Sequence, residues 1–284
     1  MKQRFERKLP RVLKAGRHWL RAVADRRRPE TRLVFVVGSQ RSGTRVPIEA
    51  MDLAPQIATF TEGSSPYFRG VLLEPLDQVE QLVARSPAPV VALKPICETH
   101  RVIELLDHFP GSRAVWIFRD YRDAVNSSST KWRSGREAVR RLAAGETRAA
   151  GWRAGGLSQE KLELVTRLYR EDMSLHEANA VMWYLRNGLF FDLGASARPD
   201  VLLVRYEDLV AHPRERFAEL FRFIGLPVPE GIDAAVRRPE GGDRKFPEIS
   251  PEIRDICDRL HERLLAHYAG RATAADSAVA SGRR

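Results

Sequence analysis

Leu33-Val34-Phe35-Val36-Val37-Gly38-Ser39-Gln40-Arg41-Ser42-Gly43-Thr44-Arg45 is the stretch from which the fold can be read. Its first five residues are apolar and mostly β-branched, and a glycine turn cuts them off, the pattern of a buried strand. Gly38 and Gly43 then stand in the Gly-x-x-x-x-Gly frame of a phosphate-binding loop, with a helix expected from about Thr44. Backbone N–H groups at such a helix start attract phosphate. A loop that cleaves triphosphates would continue with Lys and then Ser or Thr, but here Thr44 and Arg45 follow, so the magnesium-holding hydroxyl is missing from its place. The stretch therefore reads as a phosphate cradle built from Gln40, Arg41, Ser42, Gly43, Thr44 and Arg45, for a reaction that needs no metal-bound triphosphate. A ligand-free Arg/Ser/Gly turn is the plainer alternative.

Three more runs resemble the first: Val90–Leu93, Ala114–Phe118 and Val201–Val204. Longer helical patterns separate them, so the expected class is α/β, a central parallel sheet flanked by helices in a three-layer, P-loop-type arrangement. Lys94, Arg119 and Arg205 each follow a run directly, as Arg41 follows the first within its loop. In such sheets the carboxyl ends of the strands line the ligand crevice, so the four cations are expected to converge on a multiply charged anion. After the third run, a helix expected from Asp123 carries Ser127, and Arg119 with that hydroxyl could grip one phosphate. A surface Arg–Asp pair before a Ser-rich helix is the other reading of this segment.

Taken together, Arg41-Ser42-Gly43-Thr44, the pair Arg119 and Ser127 eight residues apart, and the segment Val201–Pro227 resemble the sulfotransferases that use 3′-phosphoadenosine-5′-phosphosulfate (PAPS). The resemblance covers about residues 33–268. It implies that the first loop holds the 5′-phosphosulfate, that Arg119 and Ser127 hold the 3′-phosphate, and that no metal takes part. It also implies a basic loop over the adenosine, at the position of Arg244 and Lys245. Small-molecule members carry Lys-x-His after the second major strand, whereas Lys94-Pro95-Ile96 keeps the Lys and lacks the His; Val46 stands where they place an adenine-stacking Trp. Glu62, about twenty residues past the loop, is more like the general base of the glycan-sulfating branch. The expected catalytic set is Glu62, Lys94 and Arg41, with His100 as reserve base. The expected acceptor is a hydroxyl or amine of a carbohydrate or glycolipid.

The chain has 284 residues and a net charge of +10, which at first suggests a nucleic-acid binder. Most of that charge lies in residues 1–32, with 12 basic against 3 acidic groups, and the rest is nearly neutral. Phe5, Leu9, Val12, Leu13, Trp19, Leu20 and Val23 recur there at roughly helical spacing, so residues 1–30 read as a basic amphipathic arm able to lie on an anionic membrane. Residues 31–270 are the expected catalytic domain, with 128–190 as a helical region on the acceptor side and 271–284 as a flexible tail. No apolar run approaches the roughly 20 residues of a membrane span. No secretory signal is visible, and Cys97 and Cys257 alone fit a reducing compartment, so the expected location is the cytoplasm. Two rival readings remain: a P-loop nucleotide or small-molecule kinase, and a non-catalytic basic protein that binds membrane or nucleic acid.

Overall fold

A computed structural model describes residues 30–64, 66–130, 134–232 and 248–281, with the side chains of the last helix described through 270. In chain order the elements begin with β1 (Arg32–Gly38), α1 (Arg45–Met51), β2 (Ile57–Thr61), and a hairpin of β3 (Phe68–Arg69) and β4 (Leu72–Leu73). Next come α2 (Leu76–Ala84), β5 (Val90–Lys94), a 3-10 turn (Ile96–Arg101), α3 (Val102–His108), β6 (Arg113–Phe118) and α4 (Tyr121–Ser129). A helical stretch follows, made of α5 (Gly135–Ala143), α6 (Thr147–Ala150), α7 (Gln159–Leu168) and α8 (Leu175–Asp192). The chain then forms β7 (Val201–Arg205), α9 (Tyr206–Ala211), α10 (Pro213–Ile224) and α11 (Pro251–Ser281).

All four strands expected from the sequence pair in one parallel sheet, in the order β2-β5-β1-β6-β7. Side chains alternate across it because the strand repeat is two residues. Leu33, Phe35 and Val37 of β1 therefore join Trp116, Phe118 and the helices α4, α8 and α11 on one face. Val34 and Val36 pack with Ile117, α1 and α10 on the other. Large side chains such as Phe35, Trp116, Phe118 and Phe190 are fully buried, each contributing about 1.5–3 kcal/mol by the usual area argument. Burial on both faces is why these strands are continuous apolar runs.

β2 is the strand the sequence did not reveal. Ile57-Ala58-Thr59-Phe60-Thr61 sits at the sheet edge and only Ile57 is buried, so it has no unbroken apolar signature. The last helix is a second difference. It starts at Pro251 and its backbone is helical to Ser281, past residue 271, where the flexible tail was expected to begin. Its residues 269–280 are rich in Ala, the strongest helix former. The arm over 1–29 and the Arg244–Lys245 loop lie outside the described residues.

Sheet order decides where a site can form. β1 lies between β5 and β6, so the connection from β5 to β6 passes over it and the crevice opens at the carboxyl end of β1. Along that edge stand, in order, the residues after β2, β5, β1, β6 and β7.

Candidate functional site

The loop after β1 is held in shape by contacts only glycine allows. Gly38 has φ 138°, and a Cβ there would lie 2.3 Å from the carbonyl oxygen of Ile117 on β6. The hydroxyl of buried Thr99 donates to the Gly38 carbonyl at 2.9 Å and accepts from its N–H at 3.2 Å. Gly43 has φ 83°, and a Cβ there would collide with the ring of Tyr206. Arg41 between them adopts φ 66°, left-handed for a residue that is not glycine, at a cost of about 1–3 kcal/mol. Ser39, Ser42 and Thr44 are buried, and the Ser42 hydroxyl has no hydrogen-bond partner. A buried orphan hydroxyl in a strained glycine-framed loop is what a phosphate cradle would show without its ligand, and these residues fit one.

Arg41, Ser127 and Arg119 meet. The Arg41 guanidinium donates through Nε and Nη2 to the Ser127 hydroxyl at 2.9 and 2.7 Å. Burial, and then the charge of Arg119, hold the Arg41 pKa below its ordinary value. Arg119 is 7% exposed, so it is no surface residue. It pairs with Asp123 at 3.1 Å and lies over the Tyr206 ring at 4.6 Å. Its buried Nε has no partner among the described residues. Two cations and a hydroxyl drawn from β1 and β6 therefore form one group, which fits a phosphate.

Glu62 and Lys94 form a second group. β2 and β5 are parallel neighbours with Thr61 opposite Lys94, so the turn after β2 brings Glu62 beside the end of β5. Lys94 Nζ lies 2.7 Å from Glu62 Oε2, and the Cys97 N–H donates to Oε1 at 3.0 Å. The two side chains are 14% and 17% exposed, so Glu62 is a partly buried, fully held carboxylate rather than a surface one. Burial and the nearby Glu62 push the Cys97 thiol up to about 12.

Other expected site residues lie elsewhere. Arg41 was expected with Glu62 and Lys94, yet its guanidinium is seated against Ser127, where the left-handed backbone turns it toward α4. Arg45 points outward on α1 in an exposed pair with Glu49. Arg205, the fourth strand-end cation, is engaged by Glu207 and Asp208. The Gln40 amide faces Cys97 Sγ at 4.0 Å. His100 packs against the Gly155–Gly156 turn, and burial, followed by the charges of Arg186 and Arg101, lowers its pKa to about 4.

Tyr206 was not singled out in the sequence. Tyr206 directly follows a strand end, so the rule that found Arg205 could have found it. An open cleft also adjoins the loop, lined by Ser39, Gln40, Ser134, Trp152, Arg153 and Trp183. It is where residues 128–190 approach the loop.

Comparison with known proteins places residues 31–238 within the sulfotransferase domain family. Among solved structures, the chain is similar to a sulfotransferase from Alicyclobacillus acidocaldarius, at 17% identity over 86% of this chain and 95% of that one, with a TM-score of 0.42. It is also similar to the sulfotransferase domain of the Synechococcus PCC 7002 olefin synthase, at 15% identity over 87% and 98% of the two chains and a TM-score of 0.47. A third is the sulfotransferase domain from the curacin biosynthetic pathway, at 13% identity over 81% and 98% and a TM-score of 0.49. No curated protein matches in sequence.

Proposed function

The chain belongs to the sulfotransferase family, whose sulfuryl donor is PAPS, and from that premise we propose that it transfers a sulfuryl group to a hydroxyl or amine of a carbohydrate or glycolipid acceptor. The observation that carries this reading is the presence of two separate polar groups on either side of the β1 loop: Arg41, Ser127 and Arg119 on one, Glu62 and Lys94 on the other. The first group, with the loop N–H groups and the Ser42 hydroxyl, would hold the donor's phosphates. When bound, PAPS supplies a sulfuryl group on a good leaving phosphate.

Glu62 would take the acceptor's proton at its carboxylate. Lys94, released from Glu62 as that proton arrives, would be free to turn toward the negative charge that collects on the bridging oxygen, an electrostatic contribution specific to the transition state. His100, the reserve base, is instead packed against the Gly155–Gly156 turn. The arm over residues 1–30 would bring the enzyme to an anionic membrane; among the described residues no helix is long and apolar enough to cross one.

The test is ligand-dependent thermal stability. Adenosine 3′,5′-bisphosphate, the donor's product, should stabilise the protein by about 2.7 kcal/mol at a hundredfold excess over its dissociation constant. ATP with magnesium, or DNA, should change it little. Stabilisation by ATP with magnesium alone would favour a kinase, and stabilisation by DNA alone a binding protein.

A further inference from the structure

The cleft beside the β1 loop carries an uncompensated positive charge. Among the described residues, Arg153 is its one charged lining residue, and no carboxylate lines it. The Arg153 guanidinium lies 4.4 Å from the centroid of the Trp152 ring and reaches the Ser134 hydroxyl at 3.5 Å, with no ion pair among the described residues. By contrast, Arg140 and Arg141 on nearby α5 both pair with Glu137, and Arg140 also with Glu146.

Beneath it lies a second unpaired cation. Arg186 is 1% exposed, lies 5.4 Å from the same Trp152 ring, and donates only to the carbonyls of Trp152, Gly155 and Ile96. Burial, and the charge of Arg153, lower its pKa to about 10, so at neutral pH it still carries its charge. Cys97 is close to both arginines, but its thiol is pushed up to about 12 and is neutral. Two like charges in mutual reach, one fully buried and neither facing a carboxylate, are costly as they stand. An anion in the cleft would offset both, and low-dielectric walls would focus their field on it.

We propose that this cleft is the acceptor subsite and that it selects acceptors bearing an anionic group, a carboxylate or sulfate, which the planar donor fork of Arg153 reads while Trp152 covers the adjoining ring. The inference deepens the sulfuryl-transfer reading and rests on it. Its placement agrees with the proton chemistry: Gln40 on the cleft wall faces Cys97, and Cys97 holds Glu62 from the other side. Gln40 and Cys97 thus link the cleft to the Glu62 group. Guanidinium forks match planar oxyanions in two parallel hydrogen bonds, which a lysine cannot reproduce.

The experiment is calorimetric titration of the full chain, saturated with adenosine 3′,5′-bisphosphate, with two probes that differ by one carboxylate: 4-nitrophenyl β-D-glucuronide and 4-nitrophenyl β-D-glucoside. The glucuronide should bind about tenfold or more tightly than the glucoside, as expected for one charge-assisted hydrogen-bonded contact. Arg153→Gln should abolish that preference while leaving the bisphosphate affinity unchanged, and Arg153→Lys should retain part of it. Equal affinities, no binding of either probe, or a preference that survives Arg153→Gln overturns the subsite. Loss of bisphosphate affinity in both variants also overturns it, by placing Arg153 with the donor. Failure of the unaltered chain to bind the bisphosphate is a different result, and it brings down the sulfuryl-transfer reading itself.

Discussion

Glu62 has every lone pair that matters engaged, by the Lys94 ammonium on one oxygen and the Cys97 N–H on the other. A Gln there has the same shape but one acceptor oxygen, which can keep the Cys97 N–H while the flexible Lys94 side chain turns away from the amide NH2. Glu62→Gln should therefore keep the fold and the affinity for adenosine 3′,5′-bisphosphate, proposed to bind on the β1/β6 side, while turnover falls about 10²–10⁴-fold. Single-turnover rates beside equilibrium binding of the product make the check; near-normal turnover would move proton acceptance to another group. Glu62, Arg119 and Ser127 could be singled out in the sequence by residue type and spacing, and the Arg–Asp reading of the third segment already allowed for Asp123, four residues on from Arg119. The Tyr206 contact could not be, because it reaches Arg119 from the end of β7 and only folding brings the two together.

At the scale of elements, the 3-10 turn after β5 ties the site together. Within Ile96–Arg101, the Cys97 N–H holds Glu62, the Thr99 hydroxyl locks Gly38, and the Ile96 carbonyl receives Arg186 from α8. His100 closes the turn against Gly155, where it is kept neutral by burial and by Arg186 and Arg101. Its folded pKa of about 4 lies below the 6.5 of the unfolded chain, so the unfolded state binds the extra proton first. Stability should consequently fall as the pH drops from about 6.5 toward 4. His261, whose pKa is also lowered by burial, adds to the same fall. In His100→Gln the loss of melting temperature across that window should be smaller than in the unaltered chain; an identical pH profile would mean that His100 titrates as freely in the folded protein as in the unfolded one. The turn was opaque to sequence reading because Pro95 and a run of mixed polarity give neither a two-residue nor a 3.6-residue period. β2 was missed because only Ile57 of it is buried and Thr59 and Thr61 break the apolar run that identified the other four, β7 at the opposite edge included.

For the whole molecule, strand order turns a list of strand-end residues into a division of labour. Neighbouring strands lie about 4.8 Å apart, so Lys94 on β5 and Arg119 on β6, with β1 between, are separated by roughly 10 Å along the crevice. The Glu62–Lys94 pair thus stands on the β2/β5 side and the Arg41, Ser127 and Arg119 group on the β1/β6 side. This division draws on a nearly neutral body whose cations are local, whereas most of the net +10 belongs to residues 1–32. The two charge sets should then be separable by experiment. A chain trimmed to begin at Thr31 should bind adenosine 3′,5′-bisphosphate as the full chain does. It should lose co-sedimentation with vesicles containing anionic phospholipid, and the full chain's own binding should weaken as salt is raised, because surface attraction is screened within about 10 Å at 0.1 M. Equal sedimentation of both chains would remove the membrane from the arm's role. A fall in bisphosphate affinity on trimming would instead make the arm part of the donor site, and the charge of the first thirty residues would then belong to catalysis after all.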